Sequence, residues 1–392
     1  MRYLFGCMCV LALGLIGCSE TAGTGGTAGD GGVGGDGGSG GMTGDVFPCT
    51  EQGILDAIAE GGGPHTFSCV GPTTVVTEAE IIVDNGVILD GEGNLTVDGN
   101  ADEAGVGHTV FVIADSNIAV ELRGIGVTGG GCPPSIGGAK QATNGCFATG
   151  ILVENLHTAS QATLTLTDCR VWDNEHEGIY QNVGGTLTLL NTTVSGSTLI
   201  NVHNQGGVLT VINSTISNGG AFQPEFAVGI RNTGELTMLN STVSGSQGVG
   251  VHSGDVTGTA TLTNCTVSGN AGGGIEAREG GAVTLVGTIV DGSCDRDIAS
   301  EILSGDYNVE SPGNTCGFDH GTDLVNITEG QLDLGELANN GGPTMTHELG
   351  AGSVAIDHIP AVDCEVTEDQ RGQPRPETGG TMCDVGAFEV QP

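Results

Sequence analysis

Tyr180, His203, Arg231, His252 and Glu276 are the residues of this chain best placed for chemistry, because each follows the same apolar position of a repeating unit. Tyrosine, histidine, arginine and glutamate are the side chains that move protons or hold developing charge. If successive repeats stack at one strand spacing, about 4.8 Å, His252 and Glu276 lie about 5 Å apart, within reach of an oriented acid–base pair. His203 and His252 then lie about 10 Å apart, too far to share a metal ion. Two residues further along, Glu154, Asn182, Gln205, Thr233 and Arg278 form a companion column, and His176 sits between Glu175 and Glu177 in the turn before it. A solvent-facing strand must be polar in any case, so the sequence favours a polar exposed face over a catalytic centre.

The cysteines carry the second body of chemistry. Arg2 precedes a short apolar stretch, Leu4 to Ile16, well under the roughly 20 residues that span a bilayer. It ends in Leu15-Ile16-Gly17-Cys18, which resembles a bacterial lipobox and implies cleavage before Cys18 and lipidation of it. Residues 1–17 are then a lipoprotein signal peptide. Residues 18–45 are a lipid-anchored tether, with 13 glycines among the 27 positions 19–45 and a reach of roughly 30 Å. Ser19, which is not aspartate, implies an outer-membrane lipoprotein, with the body expected at the cell surface. Cys7 and Cys9 leave with the signal. Of the ten cysteines left, local pairing predicts Cys49–Cys69, Cys132–Cys146, Cys294–Cys316 and Cys364–Cys383. Cys169 and Cys265 share one column four coils apart, about 19 Å at one strand spacing per coil and far beyond disulfide reach. They are expected to stay unpaired.

The elements that position these residues recur along the chain. Anchors at Asp168, Asn191, Asn213, Asn240, Asn264 and Gly287 are spaced 23, 22, 27, 24 and 23 residues apart, and Gly124 begins an earlier copy. Three residues before each anchor is a threonine, from Thr165 to Thr284, with an apolar residue on either side. A third apolar column runs Val171, Val194, Ile216, Val243, Val267, Val290, and a fourth Ile179, Val202, Ile230, Val251, Ile275. Period-two alternation marks half-buried strands, and repeats of this length mark a solenoid. The pattern predicts an all-β chain folded as a right-handed parallel β-helix of about ten coils over residues 46–320. A short N-terminal capping helix is expected within Thr50–Glu60, burying Ile54, Leu55, Ile58 and Ala59, and residues 321–392 should form a non-repeating C-terminal cap. The asparagine anchors read as a ladder of stacked amides, not as glycosylation acceptors. Insertions at 132–146 and 217–228 fall in one inter-strand turn and could wall a groove beside the polar column. Asp84-Asn85-Gly86 and Asp98-Gly99-Asn100 could bind Ca²⁺ weakly, but no EF-hand or nonapeptide calcium repeat is present, and no cofactor is expected.

The two ends carry a family resemblance. Cys49-Thr50-Glu51, Ala57-Ile58-Ala59, Cys69 and Leu89-Asp90-Gly91 resemble the first coils of bacterial surface β-helix proteins. Leu337-Ala338-Asn339-Asn340-Gly341-Gly342-Pro343-Thr344, Gly352-Ser353-Val354-Ala355-Ile356-Asp357, Asp369-Gln370-Arg371-Gly372 and Cys383-Asp384-Val385-Gly386-Ala387-Phe388-Glu389 are similar to the choice-of-anchor Q domain family. That family is similar in turn to the polymorphic outer-membrane protein repeats. The resemblance spans roughly residues 46–392 and implies the parallel β-helix fold and a surface location. It carries no catalytic residues. Other proteins of this fold include polysaccharide lyases and hydrolases, whose sites lie on such a face as the polar column.

Charge narrows the partners. Forty-seven acidic side chains stand against nine basic ones, a formal charge of −38 in 392 residues, and Lys140 is the one lysine. Such a field repels nucleic acid and anionic membranes, so no nucleic-acid partner is expected. It also repels polyuronates, and the column lacks the paired aspartates and clustered cations that polyuronate chemistry needs. The sequence is therefore read as a cell-surface lipoprotein presenting a monomeric β-helix rod for adhesion, display or envelope interaction. A neutral glycan or a protein is the expected ligand, and a polysaccharide lyase or hydrolase is the alternative.

Overall fold

The structure is a computed structural model that describes residues 45–101, 107–114, 117–131, 149–154, 162–220, 227–255 and 257–392. The Cys18 lipobox, the tether, the Cys132–Cys146 pair and the 132–146 insertion lie outside the described residues, as do positions 221–226 of the second insertion.

Thr50 opens the first element. Its hydroxyl accepts from the Gly53 N–H at 3.2 Å and caps helix α1, Glu51–Glu60. The buried face is Gly53, Ile54, Ala57 and Ile58, while Leu55 and Ala59 point outward. The expected face was thus displaced by one residue at two positions, because the helix meets the first coil along Gly53. A Cβ there would stand 2.0 Å from the Pro48 carbonyl oxygen.

Each coil then lays down parallel strands in the predicted register. Thr165, Thr188, Thr210, Thr237, Thr261 and Thr284 pair in sequence, and Val171 stacks on Val194 and so on to Val290. Among the described residues the strands make a nineteen-stranded sheet and a nine-stranded sheet. The larger one comprises two faces, fused where the long strands Val87–Asp98 and Ala119–Thr128 run through the corner between them. The core between the sheets is a stack of Val, Ile and Leu side chains that are essentially inaccessible to water.

The anchor column turns the corner for a different reason from the one predicted. Asp168, Asn191, Asn213, Asn240 and Asn264 all have φ between 45° and 53°, and Gly124 and Gly287 have φ of 52° and 53°. This left-handed conformation is what selects Asn, Asp or Gly. The amides do not form a ladder: Asn213 Oδ1 and Asn264 Nδ2 have no partner, and Asn240 Nδ2 donates to the Glu368 carbonyl. The ladder stands one residue later. The N–H of Thr192 donates to Ser214 Oγ at 3.0 Å and that of Ser214 to Ser241 Oγ at 3.2 Å. Cys169 and Cys265 occupy this same column, each donating its backbone N–H to the hydroxyl of the next coil. They are unpaired and buried, and burial pushes both thiols up to about 12.

The last coil is closed by Cys316 and Phe318, which pack into the core. The buried Glu310 carboxylate holds this turn by accepting from Thr315 Oγ1 and the Cys316 N–H. The non-repeating segment beyond folds back along the flank of the solenoid, reaching as far as the Asn213 turn. Thr344 Oγ1 donates to Asn213 O, Thr242 Oγ1 to Gln370 Oε1 and the Ala387 N–H to Thr266 Oγ1. Gln370, Arg375 and Glu389 are buried at this seam, and Arg375 Nε meets Glu389 Oε2 at 3.0 Å. Disulfides Cys49–Cys69, Cys294–Cys316 and Cys364–Cys383 staple the first coil, the last coil and the returning segment.

Candidate functional site

The nine-stranded sheet carries the polar column. Its strands place Ile82, Val112, Leu152, Tyr180, His203, Arg231, His252, Glu276 and Asp295 in one register. The first three are apolar, and Val112, Leu152 and Tyr180 pack together. The polar run therefore begins at Tyr180, supported by a small apolar cluster. Expected to be exposed, the column is half-covered: Tyr180 is only 9% accessible, and the side chains of His203, His252 and Glu276 are 14%, 18% and 23% accessible. One coil spacing lets each side chain lie against the next and shield it.

Two groupings result. In the first, His252 Nδ1 and Glu276 Oε2 are 2.7 Å apart, and Arg278 bonds both Glu276 and Asp295. The His252 hydrogen bond, aided by Arg278, holds the Glu276 carboxyl below its ordinary value. Coil stacking predicted about 5 Å between these two residues, and the side chains come closer because they lean together. In the second, Glu177 lies buried with His176 Nδ1 at 2.5 Å and His203 Nδ1 at 3.6 Å. The longer separation is beyond hydrogen-bond reach. Burial raises the Glu177 carboxyl, but the two histidines outweigh it and the net direction is down, while Glu177 raises His176. The Tyr180 ring meets His203 edge-on at 4.8 Å, its hydroxyl donates to Gln205, and burial raises its phenol.

Glu177 was the residue that column reasoning passed over. Its register partner is Ile200, which pairs in turn with Val228, so a carboxylate followed by aliphatic residues on the next two coils was the available signal. Of the companion column, Gln205 and Arg278 join the two groupings. Thr233 instead donates to the Asn204 carbonyl, and the Asn182 side chain turns back on its own strand end at Val183 N. The two glycine turns are used internally, with Asn85 donating to Ile58 O and Asp98 accepting from the Asn100 N–H. Among the described residues no three His, Cys, Asp or Glu side chains are grouped to hold a metal ion.

Chemically, His252 and Glu276 could pass a proton, and Arg231 sits one coil away. Arg278 is already neutralised by two carboxylates. That leaves Arg231 as the one uncommitted cation of the described column.

Residues 148–315 match the family described as right handed beta helix region. The fold is a right-handed parallel β-helix. Two solved structures resemble this β-helix in outline. Pectate lyase Pel9A is 13% identical, with a TM-score of 0.46, over 89% of this chain and 97% of that one. A mannuronic acid specific polysaccharide family 6 lyase from human gut microbiota is 8% identical, with a TM-score of 0.29, over 68% of this chain and 80% of that one. No curated protein matches this chain.

Proposed function

We propose that the chain is an exported, lipid-anchored β-helix of the choice-of-anchor Q type that serves as a display or interaction scaffold at the bacterial cell surface. One observation carries the non-catalytic reading: the column's ionisable side chains are largely paired with one another from coil to coil. Groups consumed in mutual struts stabilise a solenoid and leave little to hold a substrate. The C-terminal motifs support the same reading, because their charged residues are structural. Asp369 accepts from Arg371, and Glu389 accepts from Arg375 and from the Asp384 N–H. Attachment rests on the Cys18 lipobox, and among the described residues no helix is long and apolar enough to cross a membrane. Palmitate labelling in a bacterial host should mark the protein and vanish in Cys18→Ala; labelling that persists in the variant defeats the anchor. Surface proteolysis of intact cells should release the β-helix, and protection from protease would place it inside.

The His252–Glu276 pair favours the second reading, a polysaccharide lyase or hydrolase. Reducing-sugar and unsaturated-uronate assays on a polysaccharide panel should show no turnover. Reproducible turnover that Glu276→Ala abolishes would replace the scaffold reading with the enzyme.

A further inference from the structure

The returning C-terminal segment carries a hairpin, Leu334–Ala338 and Thr346–Leu349, whose tip is fixed on the solenoid. Gln370 Nε2 donates to Thr344 Oγ1 at 2.8 Å, Thr215 Oγ1 to Met345 O at 2.6 Å, and Arg371 Nη1 to Asn340 O at 3.2 Å. Between this tip and the coils before Thr215 is a cleft of about 290 Å³, with Asn339, Gly342 and Pro343 on one side and Arg170, Thr193 and Ser195 on the other. That volume is at the lower end of the range for small-molecule sites.

The solenoid side of the cleft differs from the same face further along. Thr193, Thr215, Thr242 and Thr266 are register partners on successive coils. The returning segment engages the hydroxyl of the last three. Thr215 donates to the Met345 carbonyl, Thr242 donates to the Gln370 side-chain carbonyl, and Thr266 accepts from the Ala387 N–H. The half-buried Thr193 and Ser195 hydroxyls have no hydrogen-bond partner among the described residues.

Arg170 pairs in register with Thr193 from the coil before. Its guanidinium lies over the Trp172 ring, 4.6 Å from the centroid. Trp172 in turn lies against Gly126, where a Cβ would stand 2.9 Å from two ring carbons. This stack orients the guanidinium without neutralising it. Arg170 is exposed and has no carboxylate partner among the described residues, whereas Arg123, Arg278, Arg371 and Arg375 each have one. No aspartate or glutamate is among the residues lining the cleft, in a chain that has 47 of them.

We infer that this cleft binds a small carboxylic acid carrying one negative charge. The carboxylate lies on the Arg170 guanidinium, whose planar fork matches it in two parallel hydrogen bonds. It accepts from the Thr193 hydroxyl, as the Met345 and Gln370 carbonyls accept on the next two coils. Ser195 and Asn339 Nδ2 serve the polar groups of the rest of the ligand, since Asn339 Oδ1 already accepts from the Gly341 N–H at 3.1 Å. Charge and size set the limits. A body of formal charge −38 repels a polyanion at long range, while a single charge is met by the single guanidinium. The volume suits one hydroxy acid, sugar acid or acylated amino acid and not a long chain. The inference depends neither on the lipid anchor nor on the His252–Glu276 column.

The test titrates the full-length protein in mild detergent, at low salt and in a carboxylate-free neutral buffer. The probes are lactate, glucuronate and N-acetylalanine, each beside its uncharged counterpart, lactamide, glucose and N-acetylalaninamide. Calorimetry should show at least one acid binding in the millimolar range or tighter and none of the uncharged counterparts, and the acid that binds best identifies the source of the carboxylate. Trp172 is the one tryptophan of the chain, so its emission should change as that acid binds. Arg170→Gln, at an exposed position where folding is not at risk, should weaken binding about tenfold or more, and Thr193→Val about threefold. Arg296→Gln, at an exposed arginine outside the cleft, removes the same charge and should leave binding unchanged. No binding of any of the acids at millimolar concentration would overturn the inference. So would equal binding of the uncharged counterparts, an equal loss in the Arg170 and Arg296 variants, or binding that neither Arg170→Gln nor the Trp172 emission registers. None of these outcomes bears on palmitate labelling, so the two proposals fail separately.

Discussion

At the corner of each coil one residue bears a backbone conformation that L-amino acids avoid, and the side chain there matters less than its tolerance of φ near 50°. Asn191→Gly should therefore leave stability nearly unchanged, whereas Asn191→Val should lose about 1–2 kcal/mol by urea unfolding. A glycine variant that loses as much stability as the valine variant would mean that the amide itself is what counts. One residue on, the hydroxyl ladder explains the two lone cysteines. Each thiol donates to a carbonyl of the corner, Cys169 to Leu122 O and Cys265 to Thr263 O. Thiols buried in this way and raised to about 12 should resist iodoacetamide at pH 8 in the native protein and react once it is unfolded. Rapid native alkylation would place them nearer the surface.

The returning C-terminal segment is held by buried charge, and its stability should depend on pH in a definite sense. Burial drives the Glu389 carboxyl up to about 7 despite Arg375 at 3.0 Å. A glutamate in the unfolded chain titrates near 4.3, so folding takes up a proton between about pH 4.3 and pH 7. The stability this contributes is full below the unfolded value and is lost as pH rises through about 7. The urea midpoint of this segment should fall between pH 5 and pH 8, and Glu389→Gln, which mimics the protonated form, should flatten that fall. Glu276 has the opposite sign. Its lowered carboxyl gives stability that is present above its unfolded value and lost on acidification. Arg375→Ala should be far more damaging, about 3–5 kcal/mol, because it leaves buried carboxylates without a cation. A midpoint that rises with pH would reverse the assignment at Glu389.

In a solenoid each coil touches only its neighbours, so stability is weakest at the ends. The disulfides sit where that argument puts the need. Cys49–Cys69 and Cys294–Cys316 close separations of 20 and 22 residues at the first and last coils, each contributing up to about 3 kcal/mol in the chain-entropy account. Reduction should release amide protection first in residues 51–60 and 312–327, while the strands from Leu187 to Ser268 keep theirs by hydrogen exchange. Uniform loss along the whole solenoid would show that the coils fold as one unit.

What the sequence by itself determined was everything that repeats. The threonine-centred strands, the valine column and the isolation of Cys169 from Cys265 are local or periodic properties, written once per coil. The polar column was legible as a register for the same reason. Its state was not, because whether His252 meets Glu276 or Glu177 draws in two histidines depends on side-chain lean between coils, which no spacing encodes. The segment after residue 320 has no period, and its place on the flank is decided by contacts more than a hundred residues away in sequence, such as His347 with Ser244 and Gln370 with Thr242. The cleft it encloses is a product of that docking alone, so only the tertiary structure could reveal it.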